Sequence, residues 1–147
     1  ISQQRQGKEK EARGSFQAAV RIDPDHAKAH LNLGVAFYRL KHLGTAKRHL
    51  EHAVRSDPSL YEAHYNLGNL LYSQNQLVEA MRFFQSVIEI YPEFSLAHAR
   101  LGDIYAKQNN PGKALDCYRE AKRITPQLQG IEQDLQRVRM KLDGNEK

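Results

Sequence analysis

The sequence predicts an all-α fold, a solenoid built from antiparallel pairs of helices. Three observations predict it, and each is a residue type that recurs every 34 positions. Three Leu-Gly dipeptides keep this spacing, at 33–34, 67–68 and 101–102. Four prolines keep it at 24, 58, 92 and 126, and four alanines keep it at 12, 46, 80 and 114. A fixed period of this length is typical of architectures that stack one supersecondary unit per repeat.

Each repeat is predicted to hold two helices. Small residues of the period mark where two helix axes approach closely, and large residues between them fill the remaining space. Each proline ends a second helix, because proline lacks an N–H group and clashes with the preceding turn. In chain order, these signals place helices near 9–21, 27–40, 45–55, 61–73, 79–90, 95–108 and 113–124.

The two ends of the chain depart from the period. At the C-terminal end, Ile131, Leu135, Val138 and Leu142 fall at helical spacing among charged residues. We expect an amphipathic capping helix within 129–147 that covers the last repeat. Because the chain begins within a repeat, residues 1–26 are expected to supply its second helix only. A missing segment or another chain would then cover the apolar face of that helix.

The composition limits the classes of function. The chain has 147 residues, of which 40% are hydrophobic and 27% charged, as expected of a globular domain. Its apolar runs are far shorter than the roughly 20 residues of a membrane helix. The single cysteine excludes an internal disulfide. No basic-then-apolar leader is visible, which favours a cytoplasmic location.

The residues within each period resemble the tetratricopeptide repeat family, whose pattern is W-x2-L-G-x2-Y, then A-x3-F, then P. The first complete copy has the pattern His30-x2-Leu33-Gly34-x2-Phe37, Ala46-x3-Leu50, Pro58. Histidine replaces the family's tryptophan in all three copies, and the complete repeats occupy 27–60, 61–94 and 95–128. The run 63–69 is also similar to the repeat region of O-linked N-acetylglucosamine transferase. The resemblance implies a right-handed superhelix that binds protein partners.

The resemblance also implies where partners bind. In this family, the first helix of each pair lines a concave face, and a peptide segment lies along it. The candidate contact residues at those positions are Lys28, Leu31, Asn32, Tyr38, Arg39, Tyr65, Asn66, Asn69, Tyr72, Arg100 and Lys107. Amides offer donors and an acceptor to a peptide backbone, and tyrosines are favoured at interfaces. The alternatives are solvated amides and tyrosines that only pack between helices.

A special case of the family is disfavoured. Members that bind the acidic C-terminal tails of heat-shock chaperones use five clamp residues, including two lysines. The matching positions here are Leu31, Val35, Asn66, Leu96 and Arg100, so only two of the five positions match. Without the lysines, the clamp lacks charge-assisted hydrogen bonds.

No metal or cofactor is expected. His30, His64 and His98 lie on equivalent helices of neighbouring repeats, about 8–10 Å or more apart, too far to share one ion. His49 and His52 are three residues apart and could face the same way, but two ligands make a weak site. Lone Cys117 is expected to be a partly buried or free thiol.

Nucleic acid is a disfavoured partner. Repeats 27–60 and 95–128 carry net charges of +4 and +3, but the repeat between them carries −3 and interrupts any continuous phosphate track. A basic strip at 47–55 could still meet an acidic surface.

Catalytic motifs are also missing from the sequence, which has no G-x-S-x-G, H-E-x-x-H or phosphate-binding glycine loop. Carboxylates scatter over exposed faces without a pair in a predicted cleft. The sequence therefore predicts a non-catalytic scaffold that binds a peptide segment of a partner protein. The alternatives are a targeting region of a larger enzyme, such as a glycosyltransferase, and a scaffold that self-assembles into homo-oligomers through its N-terminal face.

Overall fold

A computed structural model of the chain describes Lys10, Arg13 and residues 26–145. The described part is an all-α solenoid. Its helices are α1 (Ala27–Arg39), α2 (Leu43–Ser56), α3 (Tyr61–Ser73), α4 (Leu77–Ile90), α5 (Ser95–Lys107), α6 (Pro111–Ile124) and α7 (Ile131–Asn145). The helix predicted at 9–21, and with it the proposed N-terminal face, lies outside the described residues except for Lys10 and Arg13.

Consecutive helices pair as α1–α2, α3–α4 and α5–α6, and glycine sets how closely each pair packs. A Cβ atom added at Gly34 would lie 2.6 Å from Cγ of Leu50. The same addition at Gly68 would lie 2.8 Å from the ring of Phe84. Gly102 meets Tyr118 in the same way, at 2.6 Å. The recurring Leu-Gly dipeptide therefore admits one large side chain from the partner helix in every pair.

The turn within each pair uses a left-handed residue at the same repeat position. These residues are Lys41, Asn75 and Asn109, with φ of 64°, 60° and 58°. The chain reverses quickly there, so α2, α4 and α6 each begin two residues earlier than predicted. In α6 the early start suits the sequence, since Pro111 occupies the first helical position, where its missing N–H group has no partner to lose. The side chain of Asn110 accepts a hydrogen bond from the backbone N–H of Lys113.

Two of the histidines that replace tryptophan, His64 and His98, form hydrogen bonds with the turn between helix pairs. Nε2–H of His64 donates to the carbonyl of Pro58 at 2.8 Å, and His98 donates to Pro92 at 2.9 Å. Each histidine therefore joins a first helix to the turn that precedes it. His30 is buried in contact with α2 instead, as described below.

Two clusters of buried side chains form the core. The larger runs from α1 to α5 and includes Leu50, Leu67 and Phe84, all essentially inaccessible to solvent. The second joins α6 to α7 and includes Tyr118 and Leu135. Residues Ile131, Leu135 and Val138 of α7 are buried, so this helix covers the last pair. Among the helices that the structure describes, none is long and apolar enough to cross a membrane.

Candidate functional site

The first helices α1, α3 and α5 border a cavity of about 240 Å³, which we call the amide cavity. Two asparagines, two tyrosines and an arginine are among its lining residues. The full lining is Val35, Tyr38, Leu50, Asn66, Asn69, Tyr72, Ser73 and Arg100. Five of the residues predicted for the concave face therefore meet around one opening.

The two asparagines of the amide cavity differ in how their side chains are satisfied. Nδ2 of Asn66 donates to the carbonyl of Glu62 at 2.7 Å, so its donor is used within α3. Oδ1 of Asn69 is buried and has no hydrogen-bond partner among the described residues. A buried acceptor without a partner loses about 1–3 kcal/mol of solvation that nothing restores. Asn69 thus lines the amide cavity and carries an acceptor that no described residue satisfies.

The ring of Tyr72 lies close to two cations. Nζ of Lys107 is 4.4 Å from the centre of the Tyr72 ring, and Cζ of Arg100 is 5.9 Å from it. Burial alone would lower the pKa of the Arg100 guanidinium, but Tyr65, Asp103 and Tyr72 outweigh it and hold that pKa above its ordinary value. The guanidinium therefore stays charged beside the aromatic ring.

Tyr72 also lines a second cavity, of about 390 Å³, which we call the cationic cavity. It lies between α5, α6 and α7. Its lining residues are Tyr72, Asp103, Ala106, Lys107, Tyr118, Arg137, Val138 and Lys141. Because Tyr72 lines both cavities, the two adjoin at this side chain.

Two carboxylates lie close together at the cationic cavity, although the sequence placed no such pair in a cleft. Asp103 accepts a hydrogen bond from the hydroxyl of Tyr118 at 2.5 Å and pairs with Arg100 at 3.5 Å. Burial and the charge of Asp103 raise the pKa of Asp134, which is paired with Arg137. Burial and Asp103 also raise the pKa of Tyr118, so its hydroxyl remains a donor. Both carboxylates are therefore held by arginines.

Several predicted contact residues are not among those that line either cavity. Lys28, Asn32 and Arg39 are exposed on α1. Leu31 is buried in the core with 7% of its surface exposed, so it supports the fold and offers little to a partner. Half-buried Tyr65 packs against the rings of Phe84 and Phe94.

Arg137 and Lys141, which line the cationic cavity, escaped the sequence analysis because α7 was considered only as a cap. Their separation of four residues, one helical turn, is the signal that could have found them. They flank Val138, which is buried. Polar residues one turn apart beside the buried stripe of a capping helix should therefore be considered as candidate cavity-lining residues.

Three histidines meet between helices α1 and α2. Nδ1 of His30 lies 3.1 Å from Nδ1 of His49, and the rings of His30 and His52 have centres 3.8 Å apart. Burial lowers the pKa of His49, and the neighbouring His30, Arg48 and His52 lower it further. Within the part of the chain that the structure describes, no three side chains are arranged to hold a metal ion.

The single cysteine is poorly suited to nucleophilic chemistry. Burial, helped by the charge of Asp116, raises the pKa of the Cys117 thiol to about 11. The thiolate is the reactive form of cysteine. At neutral pH the side chain is therefore a thiol that packs against the core.

Comparisons with family models find tetratricopeptide repeats along most of the chain. Separate models described as tetratricopeptide or TPR repeat match residues 5–41, 27–60, 61–94 and 95–128. No curated protein sequence matches.

Several solved structures share this fold. A crystal structure of MamA has a TM-score of 0.83 at 21% identity, over 93% of this chain and 80% of that one. PilF of Pseudomonas aeruginosa has a TM-score of 0.87 at 23% identity, over 95% and 64%. YrrB, described as a TPR protein with an unusual peptide-binding site, has a TM-score of 0.76 at 27% identity, over 87% and 66%. The first two likenesses concern the fold alone.

Proposed function

Because this chain belongs to the tetratricopeptide repeat family, we propose that it is a non-catalytic interaction module that binds an extended peptide segment of a partner protein. The segment lies in the groove formed by the amide and cationic cavities. The observation that carries this proposal is Asn69, which lines an open cavity and whose Oδ1 is a buried acceptor without a partner in the described part of the chain.

A peptide backbone suits this acceptor because it supplies an N–H group at every residue except proline. A bond from such a group to Asn69 would restore the solvation that the free protein has lost, which adds to affinity. It requires no particular side chain on the guest. The amide cavity would therefore hold a segment by its backbone and leave the choice of sequence to neighbouring residues.

The tyrosines supply the apolar part of the contact. Tyr38 is 36% exposed, and Tyr72 is half-buried at the junction of the two cavities. Tyrosine loses little conformational entropy on binding and is enriched among the residues that dominate interface energies. The structural neighbour YrrB, described as having an unusual peptide-binding site, supports the same use of this fold.

The proposal is tested by selecting binders from a random twelve-residue peptide library displayed on phage. We measure the affinity of the selected peptides by calorimetry for the parent chain and for Asn69→Ala, Tyr72→Ala and Gln85→Ala. Gln85 is exposed on α4 and serves as the matched control. Asn69→Ala should weaken binding about three- to tenfold, the loss of one hydrogen bond, and Tyr72→Ala at least fivefold.

Thermal unfolding distinguishes a binding role of Asn69 from a structural one. Asn69→Ala removes a buried acceptor that has no partner, so the free energy of unfolding should stay the same or rise. Weaker binding together with undiminished stability supports the proposal. Unchanged affinity in Asn69→Ala and Tyr72→Ala, or a larger loss in Gln85→Ala, would place the peptide elsewhere and refute it.

A further inference from the structure

The cationic cavity carries charge that the described residues do not neutralise. Four cationic side chains lie at or beside it: Arg100, Lys107, Arg137 and Lys141. Arg100 pairs with Asp103, and Arg137 pairs with Asp134. Four cations less two carboxylates leave a charge of +2. This charge resides on Lys107 and Lys141, neither of which forms an ion pair with another described residue.

The unpaired charge is held in place at one end. Nζ of Lys107 lies over the face of Tyr72, 4.4 Å from the ring centre, which is a cation–π geometry. This contact fixes the ammonium at the junction of the two cavities. A segment that enters the amide cavity and continues past Tyr72 advances about 3.3 Å per residue and meets Lys107 next.

We propose that the cationic cavity selects partner segments that carry aspartate or glutamate side chains immediately beside the residues held in the amide cavity. The inference rests on the proposed function and adds to it the chemistry of the partner. Each ammonium group offers three donors and no acceptor, so carboxylate oxygens complement it. The same charge repels basic segments, and such repulsion is a common source of specificity.

The location differs from the clamp that the family uses for acidic chaperone tails. Three of the five clamp positions in this chain hold Leu31, Val35 and Leu96. The unneutralised charge lies instead between α5 and the capping helix α7. The capping helix therefore contributes to recognition as well as to the core.

Fluorescence anisotropy with defined peptides tests the inference. The probe is a twelve-residue peptide of alternating glutamate and serine, labelled with fluorescein and amidated at its C-terminus. A second probe replaces every glutamate with glutamine. The proteins are the parent chain, the double variant Lys107→Gln/Lys141→Gln, and the control Arg82→Gln/Arg119→Gln, which removes the same charge at exposed sites that line neither cavity.

The parent and the control should bind the glutamate peptide about tenfold more tightly than the glutamine peptide, as expected of two partly exposed ion pairs. The difference should vanish in Lys107→Gln/Lys141→Gln, and it should shrink as salt rises from 0.05 M to 0.5 M. Equal binding of both probes, or no binding of either, overturns the inference. An equal loss in both double variants also overturns it, because the charge would then act over the whole surface.

Two further arms fix the source of the negative charge. If a peptide with a free C-terminal carboxylate bound more tightly than the amidated one, the two lysines would recognise the C-terminus of a partner and not its acidic side chains. Tighter binding of a twelve-nucleotide oligothymidylate would assign them to nucleic acid. Either result overturns the inference. The proposed function is judged separately, since the peptides selected with Asn69 and Tyr72 intact need carry no acidic residue to support it.

Discussion

Gly34, Gly68 and Gly102 matter because a methyl group added at any of them would meet a large side chain of the paired helix. At Gly68 the nearest atoms belong to the ring of Phe84, which is fully buried and has no free end that could move aside. Gly44 also lies in a helix, but no atom comes within 4 Å of a Cβ added there. The two positions therefore separate the effect of packing from that of helix propensity.

Gly68→Ala should destabilise the protein. Alanine favours a helix by up to about 1 kcal/mol over glycine, but overpacking a tight core costs about 1–3 kcal/mol. We expect the free energy of unfolding to fall by about 1–2 kcal/mol, measured by urea denaturation. Gly44→Ala should raise it by about 0.5 kcal/mol, because only the propensity term applies. A stabilised Gly68→Ala protein would show that the pair can open without loss.

His49 packs within the first helix pair, and the charge of its ring depends on pH. His49 stacks on Phe37 with ring centres 5.5 Å apart, and its Nδ1 faces that of His30. Burial, His30, Arg48 and His52 all disfavour a proton on His49 and lower its pKa below the ordinary value of 6.5. In the folded state the ring therefore prefers to be neutral.

The free energy of unfolding should fall as the pH falls below about 6.5, the ordinary pKa of histidine. The unfolded chain takes up a proton on His49 near pH 6.5, whereas the folded chain does so only at lower pH. Between these values the unfolded state binds more protons and is favoured by acid. We expect the melting temperature, followed by circular dichroism, to be lower at pH 5.5 than at pH 7.5. His49→Asn, which cannot titrate, should show a smaller drop.

The control for this prediction is His26→Asn, which replaces an exposed histidine before α1. It should keep the pH dependence of the parent chain even if its melting temperature shifts at both pH values. If His49→Asn kept the full drop between pH 7.5 and 5.5, groups other than His49 would account for it.

The sequence alone predicted the order and pairing of the described helices, because periodic glycine, alanine and proline report packing and termination directly. It did not predict where the second helices begin. The chain reversal between the two helices of a pair depends on a residue in the left-handed conformation. At Lys41 that residue is not glycine, so the sequence does not indicate the conformation. Asn75 and Asn109, at equivalent positions, are residue types that tolerate it better. The backbone conformation of one residue in each turn thus makes α2, α4 and α6 begin about half a helical turn earlier than predicted.

The candidate groove was predicted in part. Asn69, Tyr72 and Arg100 follow from their positions on the first helices and line the amide cavity. The contribution of α7 was missed, since periodicity identifies its buried stripe but not the angle at which it docks. That docking angle places Lys141 in the cationic cavity. Residues from helices distant in sequence can be assigned to one site only after the helices are packed.

Across the described residues 26–145, each helix pair depends on its neighbours to bury its apolar face. The main core cluster runs without a break through α1 to α5, and α7 closes the far end. In such a solenoid, stability is approximately a sum of repeat and interface contributions. A destabilising substitution at the centre of the solenoid should therefore affect more helices than one at its end.

Phe84→Ala and Leu135→Ala test this dependence, since both remove fully buried side chains and each should cost about 2–5 kcal/mol. We expect Phe84→Ala to lower the hydrogen-exchange protection of all helices from α1 to α6, because both flanking pairs lose a stable neighbour. Leu135→Ala should raise exchange mainly in α6 and α7, as fraying from one end does. Exchange by mass spectrometry under native conditions resolves the two patterns. If the effect of Phe84→Ala stayed within α3 and α4, the pairs would be independently stable, and the solenoid would not act as one cooperative unit.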